Sequence, residues 1–482
     1  MTIERRLRRF RFAGLLAVAL PVLALAAPLP TVAAQSSPIR HIVVIYLENQ
    51  SFDSVFGYWC DHRPSRCPNG GMPASVTLSD GTVVTPGVNP DIVPNVDHSV
   101  LAQKAAMNGG AMNGWQNIPV NGQGGCSAAF HYQCIGGYKP AQIPNLTTLA
   151  TDFTISDMTF SLSDSPSWGG HLYSVAASLD HFTGGIPLIP RSGPKGPGWG
   201  CDSDRLAGWR TASGRVIEVP SCVPDPALGL ANGGAFEHTP VAYIPTIMDR
   251  LHAARLKWKI YGAQPGQSGY IWATCPAFAQ CLDTVQSTRV VDDSEFTANA
   301  AAGRLPAFSL VTPGGNDLNG LPMEDYSCHN GFSMTACDNW VGELVKAVEN
   351  GPDWPSTAIF ITFDDFGGFY DQVYPGTDSN PDGTQQGPRV PLIIVSPYAR
   401  SHYTDTGHTT FAGILAYTEK TLGLAPLGVN DAQAYPFTSA FNYSQTPIPG
   451  PKMAAKLVIR PLSPAARRLA THPPKGLLSD PS

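Results

Sequence analysis

Charge is what this sequence has least of. Lys, Arg, Asp and Glu make up 14% of the 482 residues, against about 25% in an average soluble domain. The acidic residues outnumber the basic ones, 37 to 31. A chain this poor in positive charge lacks the basic face that follows a phosphate backbone, which argues against a nucleic-acid partner. Internal repeats are absent too, so a solenoid is not expected. No two cysteines stand at the spacing of a zinc knuckle, which argues against a structural zinc site. Gly and Pro, by contrast, are plentiful at 48 and 45 residues. Together with 43% hydrophobic residues and 9 Trp, they describe a globular protein with a large core and many surface loops.

The first residues differ from the rest. Arg5, Arg6, Arg8, Arg9 and Arg11 precede an apolar run from Ala13 to about Ala27, and Val32 and Ala34 supply small residues for cleavage. This is the layout of a signal peptide over residues 1–34, and the paired arginines leave both general and twin-arginine export open. The apolar run is shorter than the roughly 20 residues of a spanning helix, so no membrane span is expected in the mature protein. Loss of five arginines and one glutamate takes the formal net charge from −6 to −10. Export predicts a secreted, periplasmic or cell-wall location and an oxidising environment. The 10 cysteines fall after the leader in neighbouring couples, Cys60 with Cys67, Cys126 with Cys134, Cys201 with Cys222, Cys275 with Cys281 and Cys328 with Cys337, and are expected to form local disulfides.

Short apolar runs at His41 to Leu47, Trp258 to Tyr261, Ala307 to Val311, Thr357 to Phe363 and Pro391 to Val395 read as buried strands. Ile244 to Leu256, Asp338 to Val348 and Thr409 to Leu422 have helical periodicity. Strands alternating with helices predict an α/β fold, a three-layer α/β/α sandwich around a largely parallel sheet. One domain over residues 35–445 is expected. A Pro/Ala-rich tail follows, residues 446–482, extended over the surface or disordered.

Three runs carry chemistry. HIVVIYLENQSFDSVFGYW puts Glu48 and Asn49 directly after a strand, and STAIFITFDDFGGFYD does the same for Asp364 and Asp365. Ligands gather at the carboxyl ends of parallel strands, and three carboxylates with a carboxamide form a hard oxygen set for one divalent cation. Either run alone also reads as turn residues. The third run, TFSLSDSPSWGGHLYSVAAS, places Ser167 ahead of a helix expected to start near His171. Its hydroxyl either caps that helix or lies among free N–H groups suited to phosphate. Gly169 and Gly170 then leave room for a substrate to approach the backbone.

These runs, with Asp97 and His98 between them and Gly367 to Asp371 after the acidic pair, resemble the bacterial phosphoesterase family. That family holds the non-haemolytic phospholipases C and related acid phosphatases, within the alkaline-phosphatase-like superfamily, and the resemblance extends from His41 to about Phe441. It implies that Glu48, Asn49, Asp364 and Asp365 bind the metal, that Ser167 is the nucleophile, and that His98 and His329 line the phosphate site. Ca²⁺, Mg²⁺ or Mn²⁺ is expected over Zn²⁺, because the set contains no His or Cys. The chain departs from the family pattern at Trp168 to His171, where a phosphate-contacting Asn is missing, and at Gln372, where a His is frequent. Ser167 in place of the phospholipases' usual Thr, and the short tail, lean toward a phosphomonoesterase. A phospholipase C is the alternative, with Trp59, Trp115 and Trp168 as candidates for an apolar rim. A third reading is a binding protein that kept the fold without the activity.

Overall fold

The computed structural model describes residues 37–120, 125–188, 196–228, 239–314, 326–376 and 380–459. The expected leader and the last part of the tail lie outside the described residues.

Eight strands form the central sheet: β1 His41–Leu47, β2 Thr154–Ser156, β3 Trp258–Tyr261, β4 Val290–Val291, β5 Phe308–Val311, β6 Thr357–Phe363, β7 Leu392–Val395 and β8 Tyr403–Asp405. Their spatial order is β4-β3-β5-β1-β6-β7-β2-β8. All neighbours run parallel except β6 with β7 and β7 with β2. The middle strands are mostly apolar, and every residue of β6 and all but the first of β1 are buried. Strands buried on both faces need cover on both. Helices provide it in two packed groups: Pro144–Asp152, Glu295–Ala301 and Met334–Glu349 in one, and Ser167–Ala176, Ile247–Ala253, Ala412–Leu422 and Val429–Gln433 in the other.

Caps decide where the expected helices begin. Ser333 accepts from the Ala336 N–H and starts its helix at Met334, ahead of the expected Asp338. Thr246 and Asp249 form a capping box that moves the next start from Ile244 to Ile247, where Pro245 cannot sit inside a helix.

All five expected disulfides are present. A separate antiparallel sheet of Phe182–Leu188, Leu206–Arg210 and Val216–Pro220 was not foreseen. Trp59, Trp115 and Trp168 are 1%, 0% and 4% exposed, so these three belong to the core and form no rim. The described part of the tail has no regular structure, and Leu457 exchanges two hydrogen bonds with the Asn339 side chain, each of 2.9 Å.

Candidate active site

The site is a consequence of strand register. β1 and β6 pair in parallel from His41 opposite Thr357 through Leu47 opposite Phe363. Glu48 and Asn49 therefore leave the sheet beside Asp364 and Asp365, and the Asp364 N–H still donates to Leu47 O at 3.0 Å. Asn49 takes a left-handed φ of 53°, which Asn tolerates better than most residues. Gly367, at φ 61°, comes so close that a Cβ would lie 2.3 Å from the Asn49 carbonyl oxygen.

Backbone donors fix the acidic pair. Asp364 Oδ1 accepts from the N–H groups of Asn49 (2.8 Å) and Asp365 (2.7 Å), and Asp365 Oδ1 accepts from Gly367 N–H at 2.7 Å. Glu48, Asp364 and Asp365 are at most 2% exposed. Burial, reinforced by Asp365 and Glu48, pushes the Asp364 carboxyl far above its usual range. Burial also raises Asp365, opposed by His98, the Gly367 N–H and Ser167. Among the described residues no Lys or Arg forms an ion pair with these three carboxylates; His171 lies within ion-pair distance of Glu48.

Ser167 is the first residue of helix Ser167–Ala176, four positions earlier than expected. The N-cap residue is Pro166, which gives no side-chain cap, so Ser167 is not the cap. Its Oγ instead donates to Asp365 Oδ2 at 2.9 Å. The following glycines serve packing rather than substrate access. A Cβ on Gly169 would lie 2.4 Å from Ser165 Oγ, and one on Gly170 would lie 3.3 Å from the Tyr46 hydroxyl and 3.4 Å from Asp364 O. Their absence of side chains lets the helix settle against β1 and the acidic pair.

Asn49 joins the carboxylates to the two histidines. His98 Nδ1 lies 2.7 Å from Val96 O and His329 Nδ1 lies 2.6 Å from Asn330 O. Both contacts require an Nδ1–H, because a carbonyl only accepts. Burial and the proximity of His98 push His329 down to about 4, so its ring is neutral at pH 7 and its Nε2 carries a lone pair. Each Nε2 faces the Asn49 carboxamide, at 3.2 Å for His98 and 2.6 Å for His329. The amide nitrogen satisfies these acceptors. The amide oxygen then points at Asp364 Oδ1, at 3.0 Å, and at Asp364 Oδ2 and Asp365 Oδ1, each at 3.3 Å. Rotating the amide would bond every atom only with an Nε2–H on both rings, which the two carbonyl contacts oppose. Three converging buried carboxylates with no Lys or Arg ion pair among the described residues, and a Glu48 Oε2 without a hydrogen-bond partner, are what a cation reconciles, and the residues present therefore fit a metal.

The structure thus brings all seven expected residues into one network, with Glu48, Asn49, Ser167, Asp364 and Asp365 buried and His98 and His329 half-buried at its edge. One participant was missed. His171 Nε2 lies 3.0 Å from Glu48 Oε1, with its ring stacked on Trp272 (centroids 5.0 Å apart) and edge-on to Tyr46 (5.0 Å). The signal was its position four residues after Ser167, one helical turn away, which an assumed helix start at His171 concealed. Gln372, at the position where a His is frequent, has its backbone N–H donating to Asp53 Oδ2 at 3.1 Å and its side chain bonded to Gly71 O.

Comparison with known proteins agrees with the resemblance. The profile of the Phosphoesterase family matches residues 39–425. Non-specific phospholipase C6 of Arabidopsis thaliana is 25% identical, over 85% of this chain and 74% of its own length. Phospholipase C B of Mycobacterium tuberculosis is 25% identical, over 85% and 79%. Non-hemolytic phospholipase C of Burkholderia pseudomallei is also 25% identical, over 84% and 59%.

Proposed function

Since this chain belongs to the phosphoesterase family and is a hydrolase of phosphoric esters, we propose that it is metal-dependent and works through a phosphoseryl intermediate on Ser167. The observation that carries the reading is the 2.9 Å hydrogen bond from Ser167 Oγ to Asp365 Oδ2, at the start of a helix and beside the converging oxygens of Asn49 and Asp364.

Glu48, Asn49, Asp364 and Asp365 would hold the cation, which when bound supplies positive charge to neutralise phosphate oxygens and lower the pKa of the serine hydroxyl. Ser167 Oγ attacks phosphorus while its proton passes to Asp365 Oδ2, the atom that already accepts it. The bond from phosphorus to the leaving alcohol breaks as the new P–Oγ bond forms, and free N–H groups at the helix start face the anionic phosphoryl group. The leaving alkoxide takes its proton from water, because His98 and His329 both turn Nε2 to Asn49 and serve to fix it. Water then cleaves the phosphoseryl ester and the proton returns to Oγ.

For the substrate class, the relatives named phospholipase C favour a phosphodiester such as a phospholipid. Ser167 in place of Thr favours a phosphomonoester, the second reading. Export of the mature chain accords with its five disulfides. No described helix is long and apolar enough to cross a membrane. Comparing hydrolysis of p-nitrophenyl phosphate with p-nitrophenyl phosphorylcholine, each with and without chelator, tests both substrate readings. Activity on neither, in metal-replete protein, would contradict the proposal.

A further inference from the structure

The hydrolase reading assigns the cation an all-oxygen set, and His171 stands outside it. We infer that His171 Nε2 belongs to the same donor set, and that the site is therefore built for a transition-metal cation rather than Ca²⁺ or Mg²⁺. The inference rests on the metal-dependent reading and sharpens it.

The geometry comes first. One ligand atom each from Glu48, His171 and Asp364 lies within 4.8 Å of the other two, and all three residues are buried. Glu48 Oε1 is already 3.0 Å from His171 Nε2, a normal separation for adjacent donors around one ion. The second Glu48 oxygen, Oε2, is buried without a hydrogen-bond partner, so this carboxylate has an acceptor left over inside the site. The imidazole is aimed by packing on both sides, stacked on Trp272 and edge-on to Tyr46. Its remaining nitrogen, Nδ1, has no partner that would draw the ring elsewhere.

Charge points the same way. Three buried carboxylates converge with no Lys or Arg ion pair among the described residues, so compensation must come from something that all of them can reach. A simple hydrogen bond from His171 to Glu48 would serve one carboxylate and leave Asp364 and Asp365 without a cation. A shared ion serves all three. Once an imidazole nitrogen is among the donors, Mn²⁺, Fe²⁺, Co²⁺ and Zn²⁺ gain over Ca²⁺ and Mg²⁺, which take oxygen almost exclusively. Of the expected Ca²⁺, Mg²⁺ and Mn²⁺, only Mn²⁺ is then kept, and Zn²⁺ is no longer disfavoured, because of the residue the expectation overlooked.

The test uses the full mature protein, stripped with chelator and reloaded with Mn²⁺. Pulsed EPR on wild type should show the ¹⁴N coupling of a directly bound imidazole, and His171→Gln should lose it. In the same variant, Mn²⁺ affinity measured by calorimetry should fall at least tenfold while Ca²⁺ affinity changes less than twofold. A wild-type spectrum with no ¹⁴N coupling overturns the inference, whatever the variant does. So does coupling that survives in His171→Gln, which would trace it to His98 or His329. Should His171→Gln fail to fold, coupling retained in the His98→Ala and His329→Ala variants assigns it to His171, and loss in either refutes that assignment. Phosphoester hydrolysis by a Mn²⁺-bound protein without coupling would sink this inference alone. Failure to bind any divalent cation would take the metal-dependent reading with it.

Discussion

Ser167 and His171, one turn apart in the same helix, reach different carboxylates of one site: Ser167 Oγ donates to Asp365 Oδ2, and His171 Nε2 lies against Glu48 Oε1. The two carboxylates follow two strands paired residue for residue. A single helix face therefore spans the ends of both strands, and its placement depends on Gly169 and Gly170. Substituting Gly170 by Ala would put a methyl 3.3 Å from the Tyr46 hydroxyl and 3.4 Å from Asp364 O. The helix would have to lift by a few tenths of an ångström. The expected outcome is a loss of turnover of at least tenfold with a modest stability change of about 1–2 kcal/mol. Steady-state kinetics and urea melts check it, and unchanged kcat would show that the site tolerates the shift.

Replacing Asp364 or Asp365 by Asn should remove stoichiometric metal and activity together. Each substitution keeps the side-chain shape but removes one of three negative charges from a set that gains its affinity from them. Metal analysis after dialysis, with turnover measured on the same sample, is the check. A variant that keeps both properties would show that its carboxylate is not a ligand.

The residues around Asp53 and Asp371 contribute differently, although both lie in the motifs that carry the family resemblance. Arg389, fully buried, donates to Asp53 Oδ1 at 3.0 Å and to both Asp371 oxygens at 3.1 and 3.2 Å, and stacks on Phe52. This cluster clamps the segment after β1 to the segment after β6. Arg389→Met should destabilise the fold by about 3–5 kcal/mol, because it leaves two buried carboxylates without their cation. Urea denaturation of metal-free protein measures this without interference from the site. A loss under 1 kcal/mol would mean that the carboxylates relax to water.

How much of this could be read from the sequence depends on whether local pattern or tertiary contact decides. Strands β1 and β6 were legible because their residues are mostly apolar and buried on both faces. Glu48, Asn49, Asp364 and Asp365 were legible because they follow those strands directly. The helix start at Ser167 was not, since a Trp-Gly-Gly stretch has low helix propensity and only packing against Tyr46 and Asp364 makes it helical. His171 was lost with it. The antiparallel sheet around Leu206–Arg210 escaped notice because its first strand carries Gly184, Gly185 and Pro187, and its burial pattern does not alternate.

Glu419, which has no part in the proposed chemistry, gives a pH prediction. Burial, with Asp431 beside it, pushes its carboxyl up to about 9. The folded state then holds a proton that the unfolded state releases near its ordinary value. The associated stability is fully present below that value and declines as pH rises toward about 9. Glu419→Gln keeps an uncharged amide in the same place and does not titrate. Between pH 5 and 9 the melting temperature of the variant should fall less steeply than that of wild type. Parallel curves would show that Glu419 ionises normally in the folded protein.

Ser167→Ala separates the nucleophile from its surroundings. The hydroxyl caps nothing, since Pro166 occupies the N-cap. Its removal therefore forfeits one hydrogen bond to Asp365, about 1 kcal/mol, and should leave the fold and the bound metal in place. Turnover should nevertheless fall by several orders of magnitude, because the covalent route closes and only direct attack by water remains. Vanadate, a five-coordinate mimic held through the same oxygen, should inhibit wild type strongly and the variant far less. If Ser167 merely tethered Asp365, the variant would lose metal affinity and keep measurable turnover at saturating metal, with vanadate sensitivity intact. Metal titration, kcat and vanadate inhibition on one preparation thus distinguish a nucleophile from a tether. Retained turnover and sensitivity would move the search to Ser165, whose buried Oγ lies two residues away and has no hydrogen-bond partner.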